Sequence, residues 1–585
     1  MLSTLKRGAE PSRPLSERLA NLRARRSTAA GVEKIQVSAA DVRDGLVLDK
    51  LAPQFAKRLG CMTLKHSGGE EVKQLKVSHG SGCTGSGIDK FVFDAVREGF
   101  RSTHGIDLII VQRFVCEIEE RKRNFLMAVH EEDDLCIFID VRHLEKSRAW
   151  CERHRQHCVV PGVDWKSLGF SCKSVSPAAK GSNPEAISVL ARKCQKSSTA
   201  ITFFAGLGYV KRHHPGVLFL ENLDNLSDDA GPGENSNLDV VVDCLREEGY
   251  EVLPIRMRTS DYGLPQDRLR LYIIAFHSCS ELFPEGIVWD NVMKELSDSF
   301  ELLKCRPPPF LECLLLADDN PCETELTSLI VSKITREEDD LVKHEKWHDL
   351  HKDFLKVKKV RWATLQCDAD TQASPWYAVL TPRQIEVLAW AQQCLGPLTN
   401  ADVSQSINWS HAKNPTTAEG VQLISSIMPG MKYWLGNQKR VVLGRELLSL
   451  QGFPWQKLPL NHMATFSESL LGDLAGNAYS GTVVLALVCN IFAQVEWRVG
   501  PSQQGMQCHS DAMALISKSE DESLAKTKRF SSQMIVGEDE SLVSGSESSE
   551  SEENQPDDSP SDTLPQAIRF PPLADSCDDD DGDDD

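Results

Sequence analysis

Gln74-Leu75-Lys76-Val77-Ser78-His79-Gly80-Ser81-Gly82-Cys83-Thr84-Gly85-Ser86-Gly87 is a β-rich run that breaks into a glycine-rich turn, and Ile88–Gly99 behind it has the spacing of a helix. A strand that turns through glycines into a helix lets a ligand approach the backbone closely and offers it the free N–H groups of the helix start. Alone, such a loop is as consistent with a tight turn as with a cofactor site. Outward from it the pattern repeats. Candidate strands Arg113–Glu117, Cys136–Asp140, Val217–Glu221, Tyr250–Arg256 and Arg270–Phe276 alternate with helix-like Ile201–His213 and Leu238–Glu248. Strands alternating with helices imply an α/β fold, a doubly wound and mostly parallel sheet covered on both faces. In such sheets ligands sit at the carboxyl ends of the strands, so the loops after each strand are where chemistry is sought.

Beyond residue 277 the alternation stops. Residues 278–435 hold prolines at 307–309, a charged helical stretch over Glu323–Lys359 and scattered tryptophans, and read as an inserted second domain. Regular structure returns over 436–496, with Val441–Gln451 helical up to Gly452 and Pro454 and an apolar Thr482–Phe492. Residues 1–70 read as an N-terminal extension, 71–277 as the core, and 497–585 as a polar and then acidic tail, expected to be disordered because it cannot bury enough apolar area.

The chain has 585 residues, 41% hydrophobic and 26% charged, enough for two or three domains, with no apolar run long enough for a membrane helix. Its net charge of −20 is uneven. Gly537–Asp585 carries 18 Asp/Glu against one Arg, a net of −17, which leaves the remainder near −3 and a local basic groove possible. Met1–Arg26 carries seven Lys/Arg against two Asp/Glu without the apolar core of a secretory signal. A basic arm or a solvated helix is the expectation there, ahead of an organelle transit peptide. The 18 cysteines form no CxxC pair and read as reduced thiols. Cys151, His154, His157 and Cys158 fall within eight residues, but their spacing is not a usual zinc pattern. A polar helix or loop without metal is expected there.

The loops add up. The second strand ends in Cys116-Glu117 and the third in Ile139-Asp140, each acid by itself no more than a helix cap. Val163-Asp164-Trp165-Lys166-Ser167-Leu168-Gly169-Phe170-Ser171-Cys172 places a thiol at a strand end, on a Gly/Ser-rich loop able to close over a substrate. His214-Pro215-Gly216-Val217-Leu218-Phe219-Leu220-Glu221-Asn222-Leu223 runs an apolar strand into Glu-Asn. Tyr262-Gly263-Leu264-Pro265-Gln266-Asp267-Arg268-Leu269-Arg270 leads into the next strand, with Leu450-Gln451-Gly452-Phe453-Pro454 and Gly476-Asn477-Ala478 farther on.

In this order, over Val77–Ala493, these motifs resemble the cytosine-C5 DNA methyltransferase family. The resemblance implies a seven-stranded Rossmann-like methyltransferase sheet, S-adenosylmethionine as cofactor, DNA as partner, and 278–435 as the target-recognition domain. It implies that Cys172 is the nucleophile that adds to C6 of a flipped-out cytosine. Glu221 is then the acid at N3, with Arg268 and Arg270 steadying the base carbonyl, the thiolate loop and the phosphates, while Gln266 and Asn222 brace the loop. Gly82, Gly85 and Gly87 resemble the loop at the methionine end, Glu117 the ribose ligand, Asp140 the adenine-amine ligand, and Asn477 the late segment closing the pocket. No metal is implied. Departures from the family are Ser171 where proline usually precedes the nucleophile, as in a minority branch with Gly-Phe-Ser-Cys, Leu223 for valine, and Ser78-His79-Gly80-Ser81-Gly82 for the usual Asp-Leu-Phe-Ala-Gly. His351–Trp362 is basic with interleaved aromatics, suiting phosphate contact and base stacking, and Trp376, Tyr377 and Trp409 are further base-contact candidates for which core packing is the stronger expectation. Two alternatives stay open: the same chemistry on tRNA, or a non-catalytic chromatin protein. The acidic tail would suit histones or other basic partners. A nuclear location is expected from the substrate, with a plastid or mitochondrion in reserve.

Overall fold

The computed structural model describes residues 35–66, 72–176, 189–190, 197–228, 235–334, 337–407, 415–458 and 465–499. The basic start, the acidic tail and Trp409 lie outside them.

A nine-stranded sheet forms the centre. In chain order its strands are β1 (Gln74–Gly82), β2 (Asp107–Cys116), β3 (Cys136–Phe138), β4 (Arg148–Cys151), β5 (Gln156–Val159), β6 (Trp165–Leu168), β7 (Val217–Leu223), β8 (Tyr250–Arg258) and β9 (Leu269–His277). Across the sheet they run β8-β9-β7-β6-β1-β2-β3-β4-β5. Strands β7, β6, β1, β2 and β3 are mutually parallel, whereas β9 is antiparallel to both its neighbours and β4 and β5 form an antiparallel edge hairpin. The expected seven strands are there, and the hairpin adds two more. Residues 151–158, expected as a polar helix or loop, are in that hairpin.

Five helices matter to the layers: α1 (Val47–Leu59), α2 (Ile88–His104), α3 (Glu120–Val129), α4 (Ser198–His213) and α5 (Asn237–Glu247). Helix α2 starts at Gly87, whose φ of 67° is the left-handed conformation that glycine adopts without strain. A further helix, Gly481–Gln494, is buried at every position and packs against α1 and α2. Among the described residues no single helix is long and apolar enough to cross a membrane.

Two boundaries differ from the sequence reading. The extension over 1–70 is part of the main core from Ile35 on: α1 buries Val47, Leu48, Leu51, Phe55 and Leu59. Strand Thr63–His66 pairs in parallel with Glu496–Val499, so the core also runs past 496. Likewise Phe283, Leu296, Phe300, Phe310 and Leu314 belong to the main core. The side chains with a core of their own begin at Cys322 and end at Leu443, including Leu355, Trp376, Leu388 and Trp434. The charged stretch splits into Asn320–Ile334 and Glu337–Val357.

Candidate active site

Register sets the site. Gly82 lies opposite Leu168 on one side and Cys116 on the other, Leu168 opposite Leu220, and Cys116 opposite Phe138. Immediately after that row the chain leaves the sheet along one edge at the Cys83–Gly87 turn, Glu117, the segment to Asp140 and the Gly169–Cys172 loop, while Glu221 follows Leu220 within β7, still paired to β9. Strand β9 runs the opposite way, so its start brings Arg268 and Arg270 to this edge, with Tyr272 opposite Glu221 and Arg270 opposite Leu223. Segments distant in sequence converge because the parallel strands end together.

The thiol loop is held on both flanks. Asn222, fully buried, donates from Nδ2 to the Phe170 carbonyl at 3.0 Å. From the start of α4, Thr202 Oγ1 accepts the Ser171 N–H at 2.9 Å and Thr199 Oγ1 accepts that of Ser174 at 3.2 Å. Cys172 between them is partly buried. Burial raises its pKa above the ordinary thiol value, the Glu221 carboxylate raises it further, and the Arg270 and Arg268 guanidiniums pull it down. These charges therefore lie within each other's field.

Glu221 has a side chain 13% exposed, and its Oε1 lies 3.4 Å from Arg270 Nε and 3.9 Å from Arg268 Nη2. That oxygen accepts no hydrogen bond among the described residues. Arg268 is buried; it donates to the Ile427 carbonyl from Nη1 and the Ala478 carbonyl from Nη2, each at 3.0 Å. Desolvation lowers its pKa from 12.5 to about 10, so it stays charged near neutrality. Arg270 donates to the Leu269 carbonyl at 2.8 Å. Gln266, fully buried, accepts the Ile427 N–H at 3.2 Å and donates to Gln451 Oε1 at 3.2 Å, tying this strand start to the Leu450–Pro454 segment.

Beside the thiol loop lies the glycine turn. Gly85 and Gly87 have φ of 61° and 67°. Glu117, buried, accepts the Gly85 N–H on Oε2 and the Glu119 N–H on Oε1, both at 3.1 Å. Asp140, also buried, is gripped by Arg142, with Nε 2.9 Å and Nη2 2.6 Å from Oδ2. The sequence does not foretell that fork. Asn477 is exposed and its amide donates to Asp473 in its own helix; its main-chain carbonyl, not its side chain, abuts Gly85. At Gly476 a Cβ would collide with the backbone of Met428 and Pro429, so only glycine fits there.

Two residues escaped the sequence reading. Tyr479 is buried, its hydroxyl standing where a Cβ on Gly169 would meet it at 2.8 Å. Lys166, in β6, is 1% exposed, and its Nζ has no hydrogen-bond partner among the described residues. It sits 4.7 Å from the centre of the Phe114 ring and 5.3 Å from that of Tyr209, beside Gly82. Burial lowers its pKa from 10.5 to about 8. The folded value lies below the unfolded one, so between those two pH values the unfolded chain holds more protons and stability rises with pH. Below that window the buried charge costs about 3 kcal/mol, from ~1.4 kcal/mol per unit. Lys166→Met is expected to stabilise the chain by that order near neutral pH, the gain fading as pH climbs through the window. Urea midpoints of the two proteins across that range measure it; equal midpoints at neutral pH would show the ammonium to be compensated.

The family model described as C-5 cytosine-specific DNA methylase matches residues 138–493, more than half of the chain. The chain belongs to this family. It is 26% identical over 438 residues to the DNA (cytosine-5-)-methyltransferase DMT5 of Cryptococcus neoformans, covering 71% of this chain but 17% of that protein. It is 27% identical over 141 residues to the type II methyltransferase M.HhaI of Haemophilus parahaemolyticus, covering 23% of this chain and 39% of that enzyme. The chain thus spans well under half the length of these relatives. Among solved structures the Schizosaccharomyces pombe Dnmt2 methyltransferase superposes over 71% of this chain and 98% of its own, at 10% identity and a TM-score of 0.38, too low to bear on function.

S-adenosylmethionine is the cofactor of the cytosine-C5 methylases, and the residues present fit it. At the glycine turn a Cβ on Gly85 would meet only the Asn477 carbonyl, at 3.6 Å, two buried carboxylates follow adjacent strands, and Ser81 Oγ, Ser86 Oγ and Lys166 Nζ beside the turn have no hydrogen-bond partner among the described residues.

Proposed function

We propose that this chain transfers a methyl group from S-adenosylmethionine to C5 of cytosine in DNA. The observation that carries the reading is the grouping of one thiol, one carboxylate and two guanidiniums beside the glycine turn. Cys172 is taken as the nucleophile, Glu221, Arg268 and Arg270 as its partners, and Gly82, Gly85, Gly87, Glu117 and Asp140 as the cofactor cradle. Asn477 contributes its backbone. For Asp140 to meet an adenine amine, the exposed Arg142 has to give way, which its position at the surface permits.

C5 of cytosine is a poor nucleophile until a thiolate adds at C6 and pushes electron density onto C5. In the free protein burial and Glu221 both hold the Cys172 thiol protonated. A cytosine whose N3 meets Glu221 changes that balance. A carboxyl that shares a proton with N3 stops opposing the thiolate, while Arg268 and Arg270 go on favouring it. The substrate itself then completes the nucleophile. Arg270 donates from Nη1 to the Leu269 carbonyl, from Nη2 only at 3.4 Å to Ser426 Oγ, and faces Glu221 with Nε; turning the long Ser426 contact toward the base carbonyl suits its fork. S-adenosylmethionine, when bound, supplies the electrophilic methyl group. Loss of the C5 proton to solvent then lets its electron pair re-form the C5–C6 double bond as the bond between Cys172 and C6 breaks, restoring the ring and releasing the thiolate. Since C6 is hidden in a stacked duplex, the base has to be flipped out at a cost of a few kcal/mol.

DNA is preferred to tRNA because the matching family and the Cryptococcus relative are described as DNA enzymes. Labelled methyl transfer run in parallel on duplex DNA and tRNA tests this; label in tRNA alone would overturn it, and label in neither would favour a non-catalytic chromatin protein.

The region from Cys322 to Leu443 is taken as the recognition domain. There Lys352, Lys356, Lys358, Lys359 and Arg361 are exposed, while Phe354 and Trp362 pack on that domain's core and Trp376 is buried in it. The patch therefore suits phosphates and not base stacking. Reversing charge at Lys356, Lys358 and Lys359 is expected to weaken DNA binding and flatten its dependence on salt by about 0.9 in log–log slope for each phosphate no longer neutralised. Binding isotherms over a salt series measure it; an unchanged slope would remove the patch from the interface.

A further inference from the structure

At the edge of the sheet, away from the reacting groups, three thiols and one imidazole meet. Cys136 opens β3, Cys151 closes β4, His154 lies in the tight turn of the hairpin, and Cys158 is in β5. His154 Nδ1 stands 3.6 Å from Cys136 Sγ, 3.3 Å from Cys151 Sγ and 3.4 Å from Cys158 Sγ, and all four atoms lie within 4.8 Å of one another. We propose that these four side chains form a structural zinc site of Cys3His type.

Geometry decides between this and a chance gathering of thiols. A tetrahedral zinc with bonds of about 2.3 Å to sulfur and about 2.0 Å to nitrogen holds its S and N ligands about 3.5 Å apart. The three separations scatter around that distance from one shared nitrogen. The surroundings also match what such a site needs. The Ile137 N–H donates to Cys151 Sγ at 3.3 Å, which favours the thiolate, and the other ring nitrogen of His154 lies 3.5 Å from Asp134 Oδ1, the carboxylate that fixes a ligating imidazole's tautomer. Core packing does not explain the group, because only Cys151 is buried and His154 is exposed. Four protein ligands leave no open position, which makes the site structural and not catalytic. The spacing Cys-x14-Cys-x2-His-x3-Cys hides it in the sequence, since the first ligand comes from a different strand and His157, closer in sequence, is not part of it.

The ion's place suggests its purpose. Strand β3 is three residues long and leads directly to Asp140, and the hairpin beyond it is a short two-stranded edge with Trp150 and Val159 exposed. A metal joining β3 to the hairpin turn stiffens the edge that presents Asp140.

The test is metal content of the full chain, purified reduced and without chelators. About one zinc per chain is expected, with cobalt in its place giving the visible bands of a tetrahedral thiolate site. Cys158→Ser and His154→Ala are expected to lose the metal, and Cys158→His and the exposed-thiol control Cys394→Ser to keep it. Hydrogen exchange should then quicken over 136–159 in the metal-free variants while β7 stays protected, which separates loss of the site from loss of the fold. A folded, reduced wild type without zinc and without a cobalt spectrum would overturn the proposal. So would variants that retain the metal, or a disulfide between two of the three cysteines.

Discussion

Cys172→Ala is expected to lower methyl transfer by about 10^4-fold or more while leaving the melting temperature nearly unchanged. A reaction that starts by covalent addition has no comparable route once its nucleophile is gone, and single knock-outs of nucleophiles cost roughly this much or more. Stability should hold because the loop is fixed by other atoms. Asn222 on the Phe170 carbonyl, Thr202 on the Ser171 N–H and Thr199 on the Ser174 N–H all survive the substitution. The thiol is only partly buried, so a small side chain there removes little packing. Single-turnover transfer of labelled methyl, beside a melting curve, measures both quantities. Residual activity within tenfold of the wild type would assign the thiol a structural part only.

The second large effect is expected at Arg268. Its guanidinium joins three chain segments that are far apart in sequence: it donates to the carbonyls of Ile427 and Ala478 and stands 3.9 Å from Glu221. Arg268→Met leaves two buried carbonyls without donors and takes one of two counter-charges from a carboxylate that is 13% exposed. Breaking a buried ion pair from one side costs about 3–5 kcal/mol, because the partner charge stays behind. A loss of that order in urea unfolding is expected. Arg268→Lys should recover only part of it, since one ammonium cannot span both carbonyls as the planar fork does. A loss below about 1 kcal/mol would show that solvent or a rearranged Arg270 replaces the fork.

The parts of the fold that are legible in the sequence are those where local pattern and three-dimensional role coincide. Strands β1, β2, β7, β8 and β9 are apolar runs ended by polar or glycine-rich turns, and each is legible to within a few residues, apart from the early start of β2 at Asp107. Several candidate residues are legible because the parallel strands end in register: the glycine turn, Glu117, Asp140 and the thiol loop follow strand ends, Glu221 is near the end of β7, and Arg268 and Arg270 flank the start of β9. What is not legible depends on neighbours distant in sequence. Strand β6 reads Trp-Lys-Ser-Leu, and two polar residues in four obscure the extent of the strand, buried at every position, whose end precedes the thiol loop. Helix α1 carries Pro53, a residue that argues against a helix interior, and it holds because its apolar face packs on α2. The edge hairpin alternates weakly, and its meaning emerges only when Cys136 is brought beside it. The sequence pattern sets the start of the inserted domain too early because the strand–helix alternation stops at 277, whereas Phe283, Leu296, Phe300 and Phe310 beyond that point are buried in the main core.

The most direct measurement is incubation of the chain with S-adenosylmethionine and a duplex oligonucleotide carrying 5-fluorocytosine at target positions. Fluorine at C5 cannot leave as the proton does, so once the methyl group is on, the sulfur stays bonded to C6. A denaturant-resistant protein–DNA adduct is expected, mapping by mass spectrometry to Cys172 and absent from Cys172→Ser. An adduct on any other cysteine, or none from a preparation that methylates ordinary DNA, would contradict the assignment.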